Sequence, residues 1–494
     1  MRQLTSLDTQ FLAIEDGKTH GHVTALGIYD PSTAEDGVLT LDAIRDLVAA
    51  RLHLLPPFRW RLAEVPFGLD HPYWFDDPEF DLEFHVRELA LPAPGDERML
   101  TEQVARIVAR PLDRARPLWE LYLIHGLADG RVAVLTKMHH AAVDGMSGAE
   151  VLSVLLDPSP TPRTFTRPAG APVVRDKPGQ LALFGRAVAG LPANRVRSLR
   201  SLPGLLPHLD QVATMRSLPG VSTIAALSRR AERVRTRDGG VLEGRRLHAP
   251  RTSLNAPIGP HRRIALSRQS LAEVKQIKEH FGVTVNDVVV AICAGALRSW
   301  LEQRGELPEA PLLAMIPVSV RTPAEQGTFG NRVATMLTQI PTDVADPAAR
   351  LTAAHEAMRS AKERHKAVPA SVLQDANDVI PPALFARAAR VTTSVAARHP
   401  SEAPVNTVIS NVPGSPVPLY LAGARLEALY PVSAILHGVG LNITVMSYCG
   451  GLDFGIVVDR DMVDDAGPIA AALARAQAEL LSLVHQTEPI VSCR

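Results

Sequence analysis

Apolar residues recur along this chain with two different periods, and the period changes repeatedly from one segment to the next. Alternating apolar positions, or short continuous apolar runs, predict strands. These strands lie at residues 20–29, 118–125, 132–138, 263–266, 312–320, 333–340, 406–410, 425–430, 441–448 and 452–458. Apolar spacings of three and four predict helices at residues 41–54, 99–110, 270–280, 285–300, 347–364, 382–397 and 468–485. Strands and helices are mixed in both halves, which predicts an α/β fold.

The chain has 494 residues, too many for one ordinary hydrophobic core, and this length predicts two domains. A segment rich in proline, glycine and arginine separates them. We therefore divide the chain into an N-terminal domain at 1–157, a basic linker at 158–250 and a C-terminal domain at 251–494. Residues 222–234 of the linker could form a basic helix, and two interpretations stay open for it, a solvated connection or a membrane-surface patch.

Charge and cysteine content narrow the classes of function. Lysine plus arginine and aspartate plus glutamate both total 52, so no net field favours a nucleic-acid partner. Cys293, Cys449 and Cys493 are too scattered for a disulfide framework, which favours a reducing, cytoplasmic setting. The N-terminus lacks the pattern of a signal peptide. Because no uncharged apolar stretch reaches the roughly 20 residues of a membrane span, we expect that a membrane, if one is involved, is touched and not crossed.

The segment HHAAVDG at residues 139–145 is the main candidate for chemistry. Adjacent strand residues point to opposite faces, so His139 and His140 are not expected to reach one substrate or one metal, and zinc would need more convergent ligands. An imidazole with a pKa of about 6.5 suits proton transfer, and we select His140 for that role. Asp144 could order the loop or fix the ring, and Gly145 gives the turn backbone freedom. The alternative is that both histidines only satisfy hydrogen bonds in a packed loop.

Further motifs add to this segment. They are SLDTQFLAIED near the start, RPLWE at 116–120, VNDVVVAICAGALR at 285–298, PVSVR at 317–321 and SNVPG at 410–414. HHxxxDG is the active-site signature of the coenzyme A-dependent acyltransferase superfamily. Together with the other motifs it resembles the bacterial wax ester synthase/diacylglycerol acyltransferase family over the whole chain. Ser415 is a departure, because the family often has proline after SNVPG.

The resemblance implies a fold and a set of roles. The fold would be α/β, with two chloramphenicol-acetyltransferase-like sandwich domains and the active site in a tunnel at their interface. His140 matches the family's catalytic base, and His139 and Asp144 match its supporting pair. In the superfamily the aspartate usually points away from the substrate toward an arginine, and Arg321 is the matching candidate.

Other residues have two interpretations each. Asn286 could donate to the substrate oxygen or position the thioester, and Asp287 could cap the following helix, although both residues also suit a helix start alone. Ser410 and Asn411 of SNVPG are candidate substrate-binding residues at the interface between domains, or only a strand end. Gly438 and Gly440, within the stretch 431–445, could leave room for an acyl chain, or serve close strand packing. The sequence does not choose between these alternatives.

The function implied is transfer of a long-chain fatty acyl group from acyl-CoA to diacylglycerol, giving triacylglycerol, or to a long-chain alcohol, giving a wax ester. His140 would remove the hydroxyl proton as the oxygen attacks the thioester, so we expect no acyl-enzyme, no metal and no cofactor besides the acyl-CoA substrate. We expect a cytoplasmic protein attached peripherally to the plasma membrane's inner face or to lipid droplets. The oligomeric state stays open. The alternatives are a carrier-protein-dependent condensation or polyketide-associated acyltransferase, and a non-catalytic lipid-surface protein.

Overall fold

The computed structural model describes most of the chain, namely residues 1–143, 145–166, 179–189, 249–319, 333–367 and 405–487, together with residues 228 and 247. The strands are β1 (Arg2–Gln3), β2 (His22–Asp30), β3 (Trp60–Ala63), β4 (Tyr73–Asp76), β5 (Val86–Ala90), β6 (Trp119–His125), β7 (Val132–His139), β8 (Arg262–Ser270), β9 (Leu312–Ser319), β10 (Val333–Ile340), β11 (Thr407–Val412), β12 (Tyr420–Leu421), β13 (Ala424–Ser433), β14 (Leu441–Tyr448) and β15 (Gly451–Asp459). The helices are α1 (Ser6–Ala13), α2 (Leu41–Arg51), α3 (Leu82–His85), α4 (Glu97–Val108), α5 (Gly145–Leu155), α6 (Leu271–Phe281), α7 (Val285–Gln303), α8 (Pro347–Ala367) and α9 (Gly467–Thr487).

The first sheet has six strands in the order β12-β13-β2-β7-β6-β5. Its neighbours are antiparallel except for β5 and β6, which run parallel. Every residue of β7 is buried, so the strand that leads into His139 is fixed from both sides. Two strands of this sheet, β12 and β13, come from the second half of the chain. The first sheet is therefore completed across the sequence division at residue 250.

The second sheet has six strands in the order β10-β9-β11-β14-β15-β8. Strand β11 runs parallel to both of its neighbours, and the remaining pairs are antiparallel. Helices α6, α7, α8 and α9 contribute, with the strands of this sheet, to one large apolar core. Helix α7 is central to it, because all residues from Asp287 to Leu297 are buried. Leu429 of β13 donates its amide to Asp453 of β15 at 2.8 Å, so the two sheets contact each other here.

Local sequence explains why α7 begins where it does. Thr284 is the N-cap: its hydroxyl accepts a hydrogen bond from the amide of Asp287, and the Asp287 carboxylate accepts one from the amide of Thr284. This reciprocal pair satisfies two amides that a helix start would otherwise leave unpaired. The predicted capping role of Asp287 agrees with this geometry.

Most predicted elements are present with shifted ends. The strands predicted at 333–340 and 441–448 have the predicted bounds, and the helix predicted at 285–300 continues to Gln303. The turn GLADG between β6 and β7 has positive φ at Gly126 and Gly130. The predicted helices at 222–234 and 382–397 lie outside the described residues, apart from residue 228. The mixed α/β architecture with two large sheets is confirmed.

Candidate active site

His139 and His140 lie where β7 ends. His139 is the last residue of the strand and pairs with His22 of β2, and its amide donates to the carbonyl oxygen of Leu118 at 2.9 Å. The amide of His140 donates to the carbonyl oxygen of Gly21 at 2.6 Å. The backbone of both histidines is therefore held by the segments that precede β2 and β6.

The ring of His139 has a defined tautomer. The amide of Ala141 donates to Nδ1 of His139 at 3.0 Å, and a backbone amide can only donate, so Nδ1 carries a lone pair. The proton of the neutral ring is then on Nε2, which lies 3.1 Å from Oε1 of Glu15. His139 is 1% exposed. His139 is thus buried and faces a carboxylate, and its predicted supporting role stays a prediction.

Glu15 follows α1 and has three polar neighbours. Its Oε1 accepts from the amide of Gly21 at 2.9 Å and faces His139, and its Oε2 accepts from Nη2 of Arg114 at 2.8 Å. Burial on its own raises the pKa of Glu15, but the contacts with His139, Arg114 and the Gly21 amide outweigh burial and hold the pKa well below its usual range. Glu15 is therefore an ionised carboxylate at neutral pH.

His140 differs from its neighbour. Its ring is half-buried and stacks on Phe11 of α1, with ring centroids 4.1 Å apart and planes within 4° of parallel. Phe11 thus covers one face of the imidazole and fixes its plane. Gly145 is the first residue of α5. Asp144 and Arg321 lie outside the described residues, so their predicted ion pair stays a prediction.

The group Glu15, His20 and His22 is where, among the described residues, a metal could be held: one ligand atom from each lies within 4.8 Å of the others. His22 is buried, and neither of its ring nitrogens has a hydrogen-bond partner. Burial lowers the pKa of both His20 and His22, and the positive charge of Lys137 lowers them further. The same charge opposes a bound cation, so the group fits a buried polar cluster better than a metal centre.

A small cavity lies beside the rings of His20 and His22. Its volume is about 20 Å³, room for about one water molecule. Ser433 and Ala434, from the stretch predicted as a pocket wall, also line it. A cavity of this size holds no acyl chain, and its histidines favour a polar occupant.

A second group of predicted site residues lies at the start of α7. The amide nitrogen of the Asn411 side chain donates to the side-chain oxygen of Asn286 at 3.4 Å, so the ND and SNVPG motifs meet. Next to Asn286, the carboxylate of Asp287 lies 2.8 Å from Nδ1 of His355 on α8. Ser410 is the half-buried neighbour of Asn411 in β11. The sequence placed these motifs together only through the family resemblance.

The SNVPG motif also packs toward the histidine motif. Val412 packs against the apolar cluster that includes Ala141, Ala142 and Val143, the residues directly after His140. Met446 of β14 belongs to the same cluster. The two groups of site residues therefore border one continuous apolar core.

Gly438 and Gly440 lie between β13 and β14. Gly438 has φ of +80° and donates its amide to Ala256, so it forms a turn that favours glycine. A Cβ at Gly440 would lie 2.3 Å from Sδ of Met462 and 3.0 Å from the carbonyl oxygen of Leu254. Of the two interpretations, turn geometry and close packing account for both glycines, and their contact with substrate stays a prediction.

Cys293 does not offer a nucleophile. It is fully buried in α7, and burial raises the pKa of its thiol to about 12. The thiol is therefore protonated and out of reach of substrate at neutral pH.

Comparison with known proteins decides the family. The profile of the wax ester synthase/diacylglycerol acyltransferase catalytic domain matches residues 4–289, and that of the WS/DGAT C-terminal domain matches residues 329–480. The chain belongs to the wax ester synthase/diacylglycerol acyltransferase family. It is therefore an acyltransferase, as the HHAAVDG motif predicted.

Individual relatives of this WS/DGAT chain agree. A putative diacylglycerol O-acyltransferase of Mycobacterium tuberculosis is 36% identical over 485 residues, which cover 97% of this chain and 90% of the relative. The wax ester synthase/diacylglycerol acyltransferase from Marinobacter aquaeolei VT8 has a TM-score of 0.66 at 29% identity, covering 98% of this chain and all of that one. The starter condensation domain of rhizomide synthetase matches with a TM-score of 0.53 at 13% identity, over 100% of this chain and 96% of that one, which shows the fold alone.

Sequence reasoning missed four residues of this WS/DGAT site. They are Phe11, Glu15, Gly21 and Arg114, which contact the histidine motif or each other. The available signal was the motif SLDTQFLAIED, which contains Phe11 and Glu15 but served only to identify the family. Glu15, an acidic residue just after the end of α1, would have been the residue to question.

Across the described parts of the chain, no single helix has the length and apolar character to cross a bilayer. Helices α6 and α7 meet those criteria only as a pair, and the pair is bent by 103° at its break.

Proposed function

We propose that this enzyme transfers a long-chain fatty acyl group from acyl-CoA to diacylglycerol or a long-chain alcohol, with His140 as the general base. The observation that carries the proposal is the environment of His140. Its ring is half-buried, its plane is set by Phe11, and its backbone is bonded to Gly21, while the neighbouring His139 is committed to Glu15. His140 is the half-buried member of the pair, and we assign it the contact with the substrate hydroxyl.

The reaction needs two proton transfers, one from the acceptor hydroxyl and one to the leaving thiolate. His140 removes the hydroxyl proton of the acceptor as its oxygen attacks the thioester carbonyl, and a tetrahedral oxyanion forms. Collapse of this intermediate breaks the carbon–sulfur bond, and the imidazolium returns the proton to the leaving thiolate of coenzyme A. Atoms and charges balance without an acyl-enzyme. Asn286 is our candidate donor to the oxyanion, because Asn411 occupies its side-chain oxygen and so directs its amide nitrogen elsewhere.

The proposed acceptors are diacylglycerol, after which the mycobacterial relative is named, and a fatty alcohol, the acceptor in wax ester synthesis. Purified enzyme is incubated with palmitoyl-CoA and either dioleoylglycerol or hexadecanol, and thiol release is followed with a chromogenic reagent. We expect thiol release that requires the acceptor and is nearly abolished in His140→Ala. The control is His261→Ala, which removes an exposed imidazole. Undiminished turnover in His140→Ala would refute the mechanism.

We also propose that the enzyme works at a lipid surface, because both acceptors are insoluble in water. The arginine-rich sequence between residues 158 and 250 favours binding to a membrane surface with anionic lipids. Binding to vesicles with phosphatidylserine should exceed binding to phosphatidylcholine vesicles and should weaken as salt rises. Equal binding to both vesicle types at all salt concentrations would contradict this attraction.

A further inference from the structure

We propose that Glu15 is a positioning residue for acyl transfer, which sets the backbone on both sides of His140. The inference rests on the proposed role of His140. Its first line of evidence runs through Gly21. The amide of Gly21 donates to Glu15 at 2.9 Å, and the carbonyl oxygen of the same residue accepts the amide of His140 at 2.6 Å. A single residue therefore joins the carboxylate to the backbone of His140.

A second connection runs through His139. Oε1 of Glu15 faces Nε2 of His139, and Nδ1 of that ring accepts the amide of Ala141 at 3.0 Å. Without the carboxylate, the proton could move to Nδ1, and the amide of Ala141 would then face a second donor. The charge on Glu15 thus selects the tautomer that keeps Ala141 bound. Gly21 and Ala141 hold the chain at His140 and directly after it.

The carboxylate itself is held in place. Arg114 donates from one nitrogen to Glu15 at 2.8 Å and to the carbonyl oxygen of Leu12 at 2.7 Å. Leu12 is next to Phe11, the residue that stacks on the ring of His140. The same arginine therefore links the backbone connection to the stacking contact, and the two together define both the position and the plane of the imidazole.

Glycine at position 21 keeps this arrangement compact. A Cβ there would lie 3.2 Å from the carbonyl oxygen of Phe11 and 3.3 Å from Nε2 of His139. These distances are tighter than ordinary van der Waals contacts. The segment from Phe11 to Gly21 therefore packs closely against the His139 ring. This packing leaves little room for the backbone to adjust when Glu15 is replaced.

The matched variants are Glu15→Ala, Glu15→Gln and Glu64→Gln. Glu15→Ala removes all three contacts, whereas the carbonyl oxygen of a glutamine can still accept from Gly21 while its amide faces Arg114. Glu64 is the control, because it is an exposed carboxylate 3.5 Å from the same Arg114. We expect kcat to fall about 100-fold in Glu15→Ala and about 5-fold in Glu15→Gln, and to stay within about twofold of the wild type in Glu64→Gln. KM for palmitoyl-CoA should stay within about twofold throughout.

A spectroscopic readout separates positioning from general stability. In enzyme with ¹⁵N-labelled histidine, the His139 ring should show a protonated Nε2 and an unprotonated Nδ1, and a His139→Gln sample assigns the signals. We expect this pattern to be kept in Glu64→Gln and lost in Glu15→Ala. A carboxylate that only stabilised the fold would lower the unfolding temperature without moving kcat relative to KM.

The outcomes are distinct. Wild-type kcat in Glu15→Ala, or an equal loss in Glu64→Gln, overturns the inference. If Glu15→Ala does not fold, Glu15→Gln decides: a lower kcat with an unchanged KM for palmitoyl-CoA supports positioning, and a wild-type kcat overturns it. Wild-type turnover in His140→Ala would refute the proposed function instead. Loss of turnover in His140→Ala together with normal Glu15 variants would refute the positioning role alone.

Discussion

The imidazole of His437 meets the carboxylate of Asp16 at 2.9 Å, although 421 residues separate them in sequence. On its other side, Nδ1 of His437 accepts the amide of Ile258 at 3.1 Å. Nε2 therefore carries the proton and donates to Asp16. Asp16 follows Glu15 directly, so the segment that supports His139 is also tied to the second half of the chain. Arg262 adds a hydrogen bond to the carbonyl oxygen of Lys18.

This connection predicts a stability effect. His437→Ala removes the acceptor of the Ile258 amide and the donor to Asp16. An amide left without a partner costs about 1–3 kcal/mol, and we expect a loss of unfolding free energy in that range. Urea unfolding followed by circular dichroism measures it. His261→Ala, an exposed histidine close in sequence to Ile258, should change stability by less than about 0.5 kcal/mol. Equal stability of the two variants would show that the contact contributes nothing.

The contact between Asn411 and Asn286 predicts an order of activities. If Asn286 donates to the oxyanion, Asn286→Ala loses about 100-fold or more in kcat. Asn411→Ala removes only the group that orients Asn286, and its loss should be smaller, about 10-fold. Thiol release with palmitoyl-CoA and hexadecanol gives both values, and the exposed Gln303→Ala is the control. An Asn411→Ala variant worse than Asn286→Ala would reverse the proposed roles.

The sequence predicted the elements that depend on neighbouring residues and missed the contacts between residues far apart in the chain. Helix α7 was predictable because its apolar run is long and Thr284 and Asp287 form its cap. Strand β1, with two residues, is too short for any period to register. That β13 joins β2 of the first sheet depends on pairing across roughly 400 residues, which no local pattern encodes.

The same division applies to the site. His140 was identified from a contiguous motif, whereas Glu15 approaches His139 from 124 residues earlier in the chain. The interpretation of Gly440 could not be settled in the sequence, since it depends on where Met462 and Leu254 lie. Sequence motifs thus identify the reactive side chains, and the tertiary structure determines which distant residues contact them.

Buried histidines predict sensitivity to acid. The pKa of His22 is lowered, first by burial and then by the charge of Lys137, and the pKa of His20 is lowered too. The unfolded chain therefore binds these protons first as pH falls. Their contribution to stability is full above the unfolded pKa of about 6.5 and is lost progressively below it. For His22, whose pKa is lowered well below its usual value, the loss is about 1 kcal/mol per pH unit.

The test compares urea unfolding between pH 7 and pH 5.5, above the range in which the lowered pKa of Glu15 has an effect. His22→Gln has no titrating group at this position. The slope of its unfolding free energy against pH should therefore be smaller than the wild-type slope by about 1 kcal/mol per pH unit. His261→Gln, at an exposed site, should keep the wild-type slope. An unchanged slope in His22→Gln would mean that His22 has the same pKa in the folded and unfolded chain.

The buried pair Arg51 and Asp157 predicts the largest loss of stability. Their side chains are 2% and 1% exposed, and Nη2 of Arg51 lies 2.7 Å from Oδ2 of Asp157. The backbone of Asp157 exchanges two hydrogen bonds with Tyr420, so the pair lies where the end of α5 meets β12. Asp157 also accepts from the side chain of Arg163 at 2.7 Å. Asp157→Ala removes the acceptor of Arg163 and leaves the Arg51 guanidinium buried without its counter-charge, and we expect a loss of about 3–5 kcal/mol in urea unfolding.

The control for Asp157 is the exposed pair Arg98 and Glu102, in which Arg98 is 71% exposed and the atoms are 2.9 Å apart. Glu102→Ala should cost about 0.5 kcal/mol or less, because water and salt screen such a pair. Adding Arg51→Met to Asp157→Ala should recover part of the loss, since the buried Arg51 charge is then gone and the remaining partner, Arg163, is 40% exposed. A double variant less stable than Asp157→Ala would mean that Arg51 stabilises through its bonds to the carbonyl oxygens of Val154 and Leu155 and not through the charge pair.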